Sequence, residues 1–514
     1  VARYFCLASM VVLARVASAA SCESLADIKL KDTTITEAAS VTPPTTIEAV
    51  LGYRQATITI PFCRVAAQMT PTPDSAIKLE VWLPRPEMWN GKLEGVGNGG
   101  LGGAIVFNAM VPGLMRGYAT AATDTGHDNS GGTGVFALGH REKIIDYGYR
   151  STHLTAVAAK AIIASYYGRQ PAHAYFSGCS QGGQEALMEA QRFPQDYDGV
   201  IAGAPDYNQT HHEVGAHLWI SLALFGKHGG SLSADKSALV GRAVNDACDA
   251  LDGVKDGVLE DPRRCRFDPG DLQCKGPETS DCLNTSEVEA VRKLWDGPKS
   301  ILGAAYYPGL ERGGEAETWK AFIAGDTPEK NLHAYLGMPF FKYFVFDDPT
   351  WTYDRFNFKT DPELVEQRLA GILDATDPDL RPFERRGGKL LHYHGYSDPG
   401  IPPRSSIGYY NNVVKALGGR TAVNSFYRLF MVPGMGHCGG GPGANSFDML
   451  TALEHWVEDG VAPERVVATK YADDNPEHAV VRTHPLCPYP QVAEYRGAGS
   501  IDKAESFDCA DEAR

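Results

Sequence analysis

Beyond its first twenty residues the sequence has no stretch approaching the roughly 18 uninterrupted apolar residues of a membrane-spanning helix, so a soluble mature chain is expected. It also lacks any internal repeat or low-complexity tract, which sets aside repeat arrays and long structureless linkers. Positive charge is in short supply. With 48 Lys and Arg against 63 Asp and Glu, the net charge is −15, which argues against nucleic acid or an anionic membrane as the main partner. What remains is ordinary for a globular protein: 43% hydrophobic and 22% charged residues over 514 positions, enough for a large core and more than one structural unit.

The N-terminus reads as a cleaved leader over residues 1–20. Arg3 supplies the positive start, Phe5 to Val12 form a short apolar run, and Ala17-Ser18-Ala19 resembles a small-residue cleavage site. Arg15 interrupts the run, and Ala19 stands where a lipoprotein leader ahead of Cys22 would carry leucine. Export, to the periplasm or the extracellular space, makes the cysteines informative. Removing Cys6 leaves ten of the eleven, an even number in a disulfide-permissive compartment. Cys248 with Cys265, Cys274 with Cys282 and Cys487 with Cys509 are near neighbours; Cys22 with Cys63 and Cys179 with Cys438 remain. Spacing alone does not fix this connectivity.

Period-two runs at Ala56–Ile60 and Ile77–Leu83 suggest strands. Thr155–Tyr167 suggests a helix, His173–Ser177 a short strand, and Gln184–Arg192 a helix after a tight turn. Strands alternating with helices indicate an α/β fold around a largely parallel sheet. From Asp206 to Arg386 the pattern shifts to helical pieces, Asp/Gly/Pro-rich loops and an aromatic stretch from Phe340 to Phe346, as expected of an inserted lid. Gly388–His394 and Ser425–Val432 then resume the core as late strands, so the core comprises residues 21–205 and 387–514 around a lid at 206–386.

Gly178-Cys179-Ser180-Gln181-Gly182 fits the G-x-S-x-G nucleophile elbow, in the required context of a strand before and a helix after. A hydroxyl needs a base to act at neutral pH, and in this fold the acid and the histidine follow the serine along the chain. Asp398 lies in a turn just after a strand, and His437 in a glycine-rich loop after the next one. His437 would take the proton from Ser180 and return it to the leaving alcohol, with Asp398 fixing its tautomer. Cys179 precedes Ser180 and Cys438 follows His437. If serine and histidine meet, the cysteine Cα atoms come within reach of the roughly 4.4–6.8 Å that a disulfide spans. A free catalytic thiol at Cys179 is the competing reading, weakened because Ser180 holds the elbow position. The oxyanion donors are expected to be the backbone N–H groups of Gln181 and of the early glycine loop, Gly100 first and Gly99 next.

The segment from Asp249 to Glu260 repeats acidic residues between glycines. Carboxylates this close repel unless a cation or water separates them, and hard oxygen donors suit Ca²⁺. Asp249, Asp252 and Asp256 could bind by side chain, Val254 and Val258 by their carbonyls, with Cys248 and Cys265 closing the loop. The spacing is not that of an EF-hand, and a solvated acidic turn remains the alternative.

Together these residues resemble the tannase and feruloyl esterase family, which includes hydrolases of aromatic polyester fragments. The resemblance is carried by Gly178–Gly183, His394–Asp398 and Val432–Pro442. Trp89–Lys92, Thr123–Asp128, the Asp249 loop and Leu486–Pro490 extend it over nearly the whole mature chain. It implies an α/β-hydrolase core with a lid, a Cys179–Cys438 disulfide, a structural Ca²⁺ in the lid, and hydrolysis of esters of ferulate-, p-coumarate- or gallate-like acids. Tyr343, Phe344 and Phe346 are candidates for clamping the aromatic acyl group, though such a stripe is more often core. His211 and His212, at the start of the lid, could line the pocket or face solvent. The lid arginine with which some relatives hold a substrate carboxylate has no clear counterpart from Phe340 to Tyr343. A peptidase or polyester depolymerase would keep the same triad, and a non-catalytic extracellular Ca²⁺-binding protein is the rival of another class.

Overall fold

The computed structural model describes residues 20–49, 54–129, 133–300 and 303–511. The expected leader, apart from Ala20, lies outside them. Nine strands form one sheet: β1 (Thr33–Val41), β2 (Phe62–Met69), β3 (Ile77–Pro84), β4 (Lys92–Val96), β5 (Ala119–Thr123), β6 (His173–Cys179), β7 (Gly199–Gly203), β8 (Lys389–Gly395) and β9 (Tyr427–Val432). Their spatial order is β1-β2-β3-β5-β4-β6-β7-β8-β9. Pairing is antiparallel from β1 through β3 to β5 and parallel from β5 onward to β9.

The parallel half follows from the crossovers, because parallel neighbours need a long return that a helix supplies. Helix α1 (Ser151–Tyr167) precedes β6, and helix α2 (Gln181–Arg192) joins β6 to β7. Strands covered on both faces read as apolar runs without alternation; β5, β7 and β9 are buried at every position. Phe176, Val200 and Leu390 pack with α1, α2 and the helix Arg404–Ala416, whereas Tyr175, Ile201 and Leu391 meet the helix Met449–Glu458 on the other face.

Two local expectations shift. The segment beginning at Ala56 is a strand, Ala56–Ile58, but it pairs with Thr45–Ile47 in a separate ribbon rather than joining the sheet. Helix α2 begins at Gln181, directly after Ser180, and not at Gln184; Gly182 and Gly183 are admitted to its first turn because the neighbouring backbone leaves no room for side chains there.

Between Gly203 and Lys389 the described residues add helices but no strand to the nine-stranded sheet. One apolar cluster, including Val240, Val288, Leu294 and Trp319, lies wholly within this segment. Another joins its Val214, Leu218, Phe340 and Phe344 to Leu101 of the glycine loop and to Ile144 and Tyr147 of the helical segment 141–150. The cysteines pair as Cys22–Cys63, Cys179–Cys438, Cys248–Cys265, Cys274–Cys282 and Cys487–Cys509. Among the described residues no helix is long and apolar enough to cross a membrane.

Candidate active site

Strand β6 runs out at Cys179, and the chain reverses into α2 through Ser180, whose φ of 64° and ψ of −120° lie outside the common regions for an L-residue. The crowding explains the glycines around it. A Cβ on Gly178 would stand 2.3 Å from the Gly182 carbonyl oxygen, and one on Gly183 2.3 Å from that of Gly203. The turn is held by the Ser180 N–H donating to Gly203 (2.9 Å) and the Asp206 N–H donating to the Ser180 carbonyl (3.1 Å). Strain of this kind persists only where the surroundings over-determine it.

The other two groups arrive from the ends of β8 and β9. His437 Nε2 lies 2.9 Å from Ser180 Oγ, and its Nδ1 lies 2.8 Å from Asp398 Oδ2. Asp398 Oδ1 accepts from the backbone N–H groups of Gly400 (2.7 Å) and Ile401 (3.0 Å). Burial alone would raise the Asp398 pKa, but the His437 charge and hydrogen bonds from His394 and His437 hold it well below the ordinary carboxylate range. It is therefore ionised and oriented. The Cys179–Cys438 bridge spans 6.0 Å between Cα atoms and joins the residue before the serine to the residue after the histidine.

Gln181 and Gly100 both line the cleft into which Ser180 and His437 face. Gln181 opens α2, so its N–H precedes the intrahelical ladder and points out of the helix N-terminus. The glycine loop is tied to the elbow by the Gly182 N–H donating to the Asn98 carbonyl (2.8 Å). Gly100, not Gly99, reaches the cleft wall.

The lid contributes differently from expectation. Phe344 is 3% exposed and packs among Phe136, Tyr147 and Phe340, with Tyr343 and Phe346 against the same cluster; none of the three lines the cleft. The turn Phe340–Val345 aims its aromatic side chains into the seam between lid and core. In their place Phe322 and Leu336 supply the apolar wall, with the Phe322 ring 5.6 Å from that of His437. His212 does line the cleft, buried and 2.9 Å from Asp206, whereas His211 turns away to Glu366 and the Tyr306 ring.

Sequence reasoning missed several polar groups. Gln209 and Glu213, four residues apart, both face the cleft. Gln209 Nε2 donates to the Tyr147 hydroxyl (3.0 Å), which donates to Gln181 Oε1 (2.8 Å), so the amide is oriented with Oε1 as a buried acceptor lacking a donor. Glu213 Oε2 likewise has no donor, and burial, with Asp206 adding, raises its pKa well above the usual value. Behind the acid, His394 reaches Asp398 (3.1 Å) and Ser406 (2.7 Å), and Ser406 reaches His392 (2.8 Å). The His394-to-Asp398 spacing was visible in the sequence; that Ser406 would bridge the two histidines was not.

The acidic loop folds on itself. Asp249 Oδ1 accepts from the Gly257 N–H (3.0 Å), Asp252 Oδ1 from Val254 (3.0 Å) and Asp256 Oδ1 from Val258 (3.1 Å), while Asp256 Oδ2 pairs with Arg482 (2.8 Å). The donor set is all oxygen and negatively charged, the chemistry that suits Ca²⁺. Among the described residues, however, the one triple of His, Cys, Asp or Glu ligand atoms lying within 4.8 Å of one another is elsewhere, at His153, Glu189 and Asp196.

A serine–histidine–carboxylate array at the carboxyl ends of three parallel strands of one sheet, capped by a helical insertion, defines an α/β-hydrolase. Residues 63–510 match the tannase and feruloyl esterase family, and the chain belongs to it. It is a carboxylic ester hydrolase of feruloyl esterase-like type. An uncharacterised esterase of Xanthomonas campestris is 40% identical, covering 99% of this chain and 94% of its own. The mono(2-hydroxyethyl) terephthalate hydrolase of Piscinibacter sakaiensis is 34% identical over 83% of this chain and 81% of its own. The crystal structure of feruloyl esterase B from Aspergillus oryzae superposes with a TM-score of 0.86 at 28% identity, covering 95% of this chain and 99% of that one.

Proposed function

We propose that this chain hydrolyses esters of hydroxylated aromatic acids through an acyl-enzyme on Ser180. The observation that carries the reading is the unbroken Ser180–His437–Asp398 line, at 2.9 and 2.8 Å, inside a cleft walled by Phe322 and Leu336. His437 takes the Ser180 proton as Oγ attacks the ester carbonyl, and then gives it to the departing alcohol. The backbone N–H groups of Gln181 and Gly100 receive the developing oxyanion. Water, deprotonated by the same imidazole, then releases the acid. Asp398 stays ionised throughout and stabilises the imidazolium.

The relatives leave open whether the far end of the acyl ring bears a hydroxyl or a carboxylate. No lysine or arginine is among the described residues lining the cleft, and His212 is already paired to Asp206. A terephthalate carboxylate would be desolvated there without a countercharge, a cost of several kcal/mol. Gln209 Oε1 and Glu213 instead offer acceptors to a phenolic hydroxyl. The test is kcat/KM of wild type and Ser180→Ala for methyl ferulate, methyl gallate and mono(2-hydroxyethyl) terephthalate. The reading requires a preference of at least about tenfold for the phenolic esters, about 1.4 kcal/mol, and loss of turnover in the variant. A preference for the terephthalate monoester would overturn the substrate class while leaving the triad standing.

Ca²⁺ would be held by the carboxylates of Asp249, Asp252 and Asp256 with the carbonyls of Val254 and Val258, supplying positive charge to an acidic turn. The loop abuts the segment leading to His437, since a Cβ on Gly434 would stand 3.0 Å from Val258 Cγ1. Five disulfides support secretion, because such bonds persist in oxidising compartments.

A further inference from the structure

Far along α2 from the nucleophile, three side chains that ester hydrolysis does not use converge: His153 from α1, Glu189 from the last turns of α2, and Asp196 from the turn before β7. One ligand atom from each lies within 4.8 Å of the other two. Ligand bonds of about 2.0–2.2 Å place the donors of a first-row divalent ion comfortably inside that separation. Glu189 is the telling member. It is 1% exposed, and neither carboxylate oxygen meets a hydrogen-bond donor. A buried carboxylate in that condition is costly unless a proton or a cation joins it.

The surroundings offset that charge only in part: Lys160 acts on Glu189 through space, and burial outweighs it. Asp196, 8% exposed, adds a second carboxylate. Lys160 lies close, but its ammonium is directed to the backbone carbonyls of Gln195 and Asp196. Burial, and then the Asp196 carboxylate, pushes the Glu189 pKa well above its ordinary value. The negative end of the α2 dipole favours a cation at the same place. His153 is 29% exposed at its side chain and stacked on Phe193 at 3.9 Å between ring centroids, so the cluster has an oriented nitrogen donor and a route to solvent.

We propose that His153, Glu189 and Asp196 form a binding site for a first-row divalent cation such as Zn²⁺, completed by water on its open side. His153 Nδ1 and Asp196 Oδ2 stand 2.5 Å apart, so the imidazole and the carboxylate already face one another at the cluster. The ion's role is to tie the end of α2, whose other end carries the elbow, to α1 and to the approach to β7.

The test is calorimetric titration of full-length, chelator-stripped enzyme with Zn²⁺ in excess CaCl₂, which keeps the acidic loop supplied with its own ion. It is paired with melting curves and run for wild type, Glu189→Gln and His153→Gln. One equivalent bound by wild type with a raised melting temperature, weakened at least about tenfold in both variants, supports the site. Glu189→Gln removes the charge without the volume, and His153→Gln, at a partly exposed position, covers the case in which a core substitution misfolds. Absence of a wild-type equivalent, or an equivalent retained in both variants, overturns the proposal, leaving Glu189 and Asp196 as a proton-sharing pair.

Discussion

Asp398 is the residue on which the geometry of the site converges. One oxygen is fixed by two backbone N–H groups and the other by two imidazoles, so the carboxylate can neither rotate nor protonate near neutral pH. Asp398→Asn keeps the shape but lets the amide favour the wrong tautomer of His437. kcat on methyl ferulate is expected to fall by about 10³–10⁴ with little change in KM, read from steady-state kinetics. The three members of this line were legible in the sequence because an elbow motif, chain order and two flanking cysteines constrain one another. His392, Ser406, Gln209 and Glu213 were not, because a polar residue on a strand or helix gives no sign of which neighbour it will face. Tyr343, Phe344 and Phe346 show the opposite limit: aromatic composition marks a buried surface, but not whether a substrate or the core buries it.

At the level of elements, the late strand read at Ser425–Val432 is buried throughout as Tyr427–Val432, and the helix after Ser180 is the one the motif demands; Ala119–Thr123 and Gly199–Gly203, equally buried, show no alternation for periodicity to find. Ala56–Ile58 departs because a three-residue run, two of its residues β-branched, specifies an extended segment without specifying a partner. The staple between the ends of β6 and the β9 loop acts across a sequence separation of 259. Replacing both members, Cys179→Ala with Cys438→Ala, is expected to cost about 2–5 kcal/mol in denaturant unfolding, since it frees the unfolded chain from a long loop constraint. kcat is expected to fall with it as the His437 loop loosens. An unchanged unfolding midpoint and unchanged kcat would mean that the sheet alone holds serine and histidine in register.

On the scale of the whole molecule, a helical insertion with its own apolar cluster is seated on the sheet by a second, shared one, and it closes the cleft with Phe322 and Leu336. The acidic loop belongs to this insertion yet touches both the Gly434 turn and Arg482 near the C-terminus. If the loop holds Ca²⁺ as proposed, a chelator is expected to lower the melting temperature by several degrees and to reduce ester turnover, both restored on adding CaCl₂; a melting curve indifferent to chelation counts against the loop as a calcium site. Ester hydrolysis through a covalent acyl group on Ser180 is tested most directly by acid-quenching the enzyme during turnover of a slow phenolic ester and mapping the added mass. Acylation at Ser180, absent from Ser180→Ala, is the expected result. An acyl group on another residue, or undiminished turnover by the variant, would contradict it.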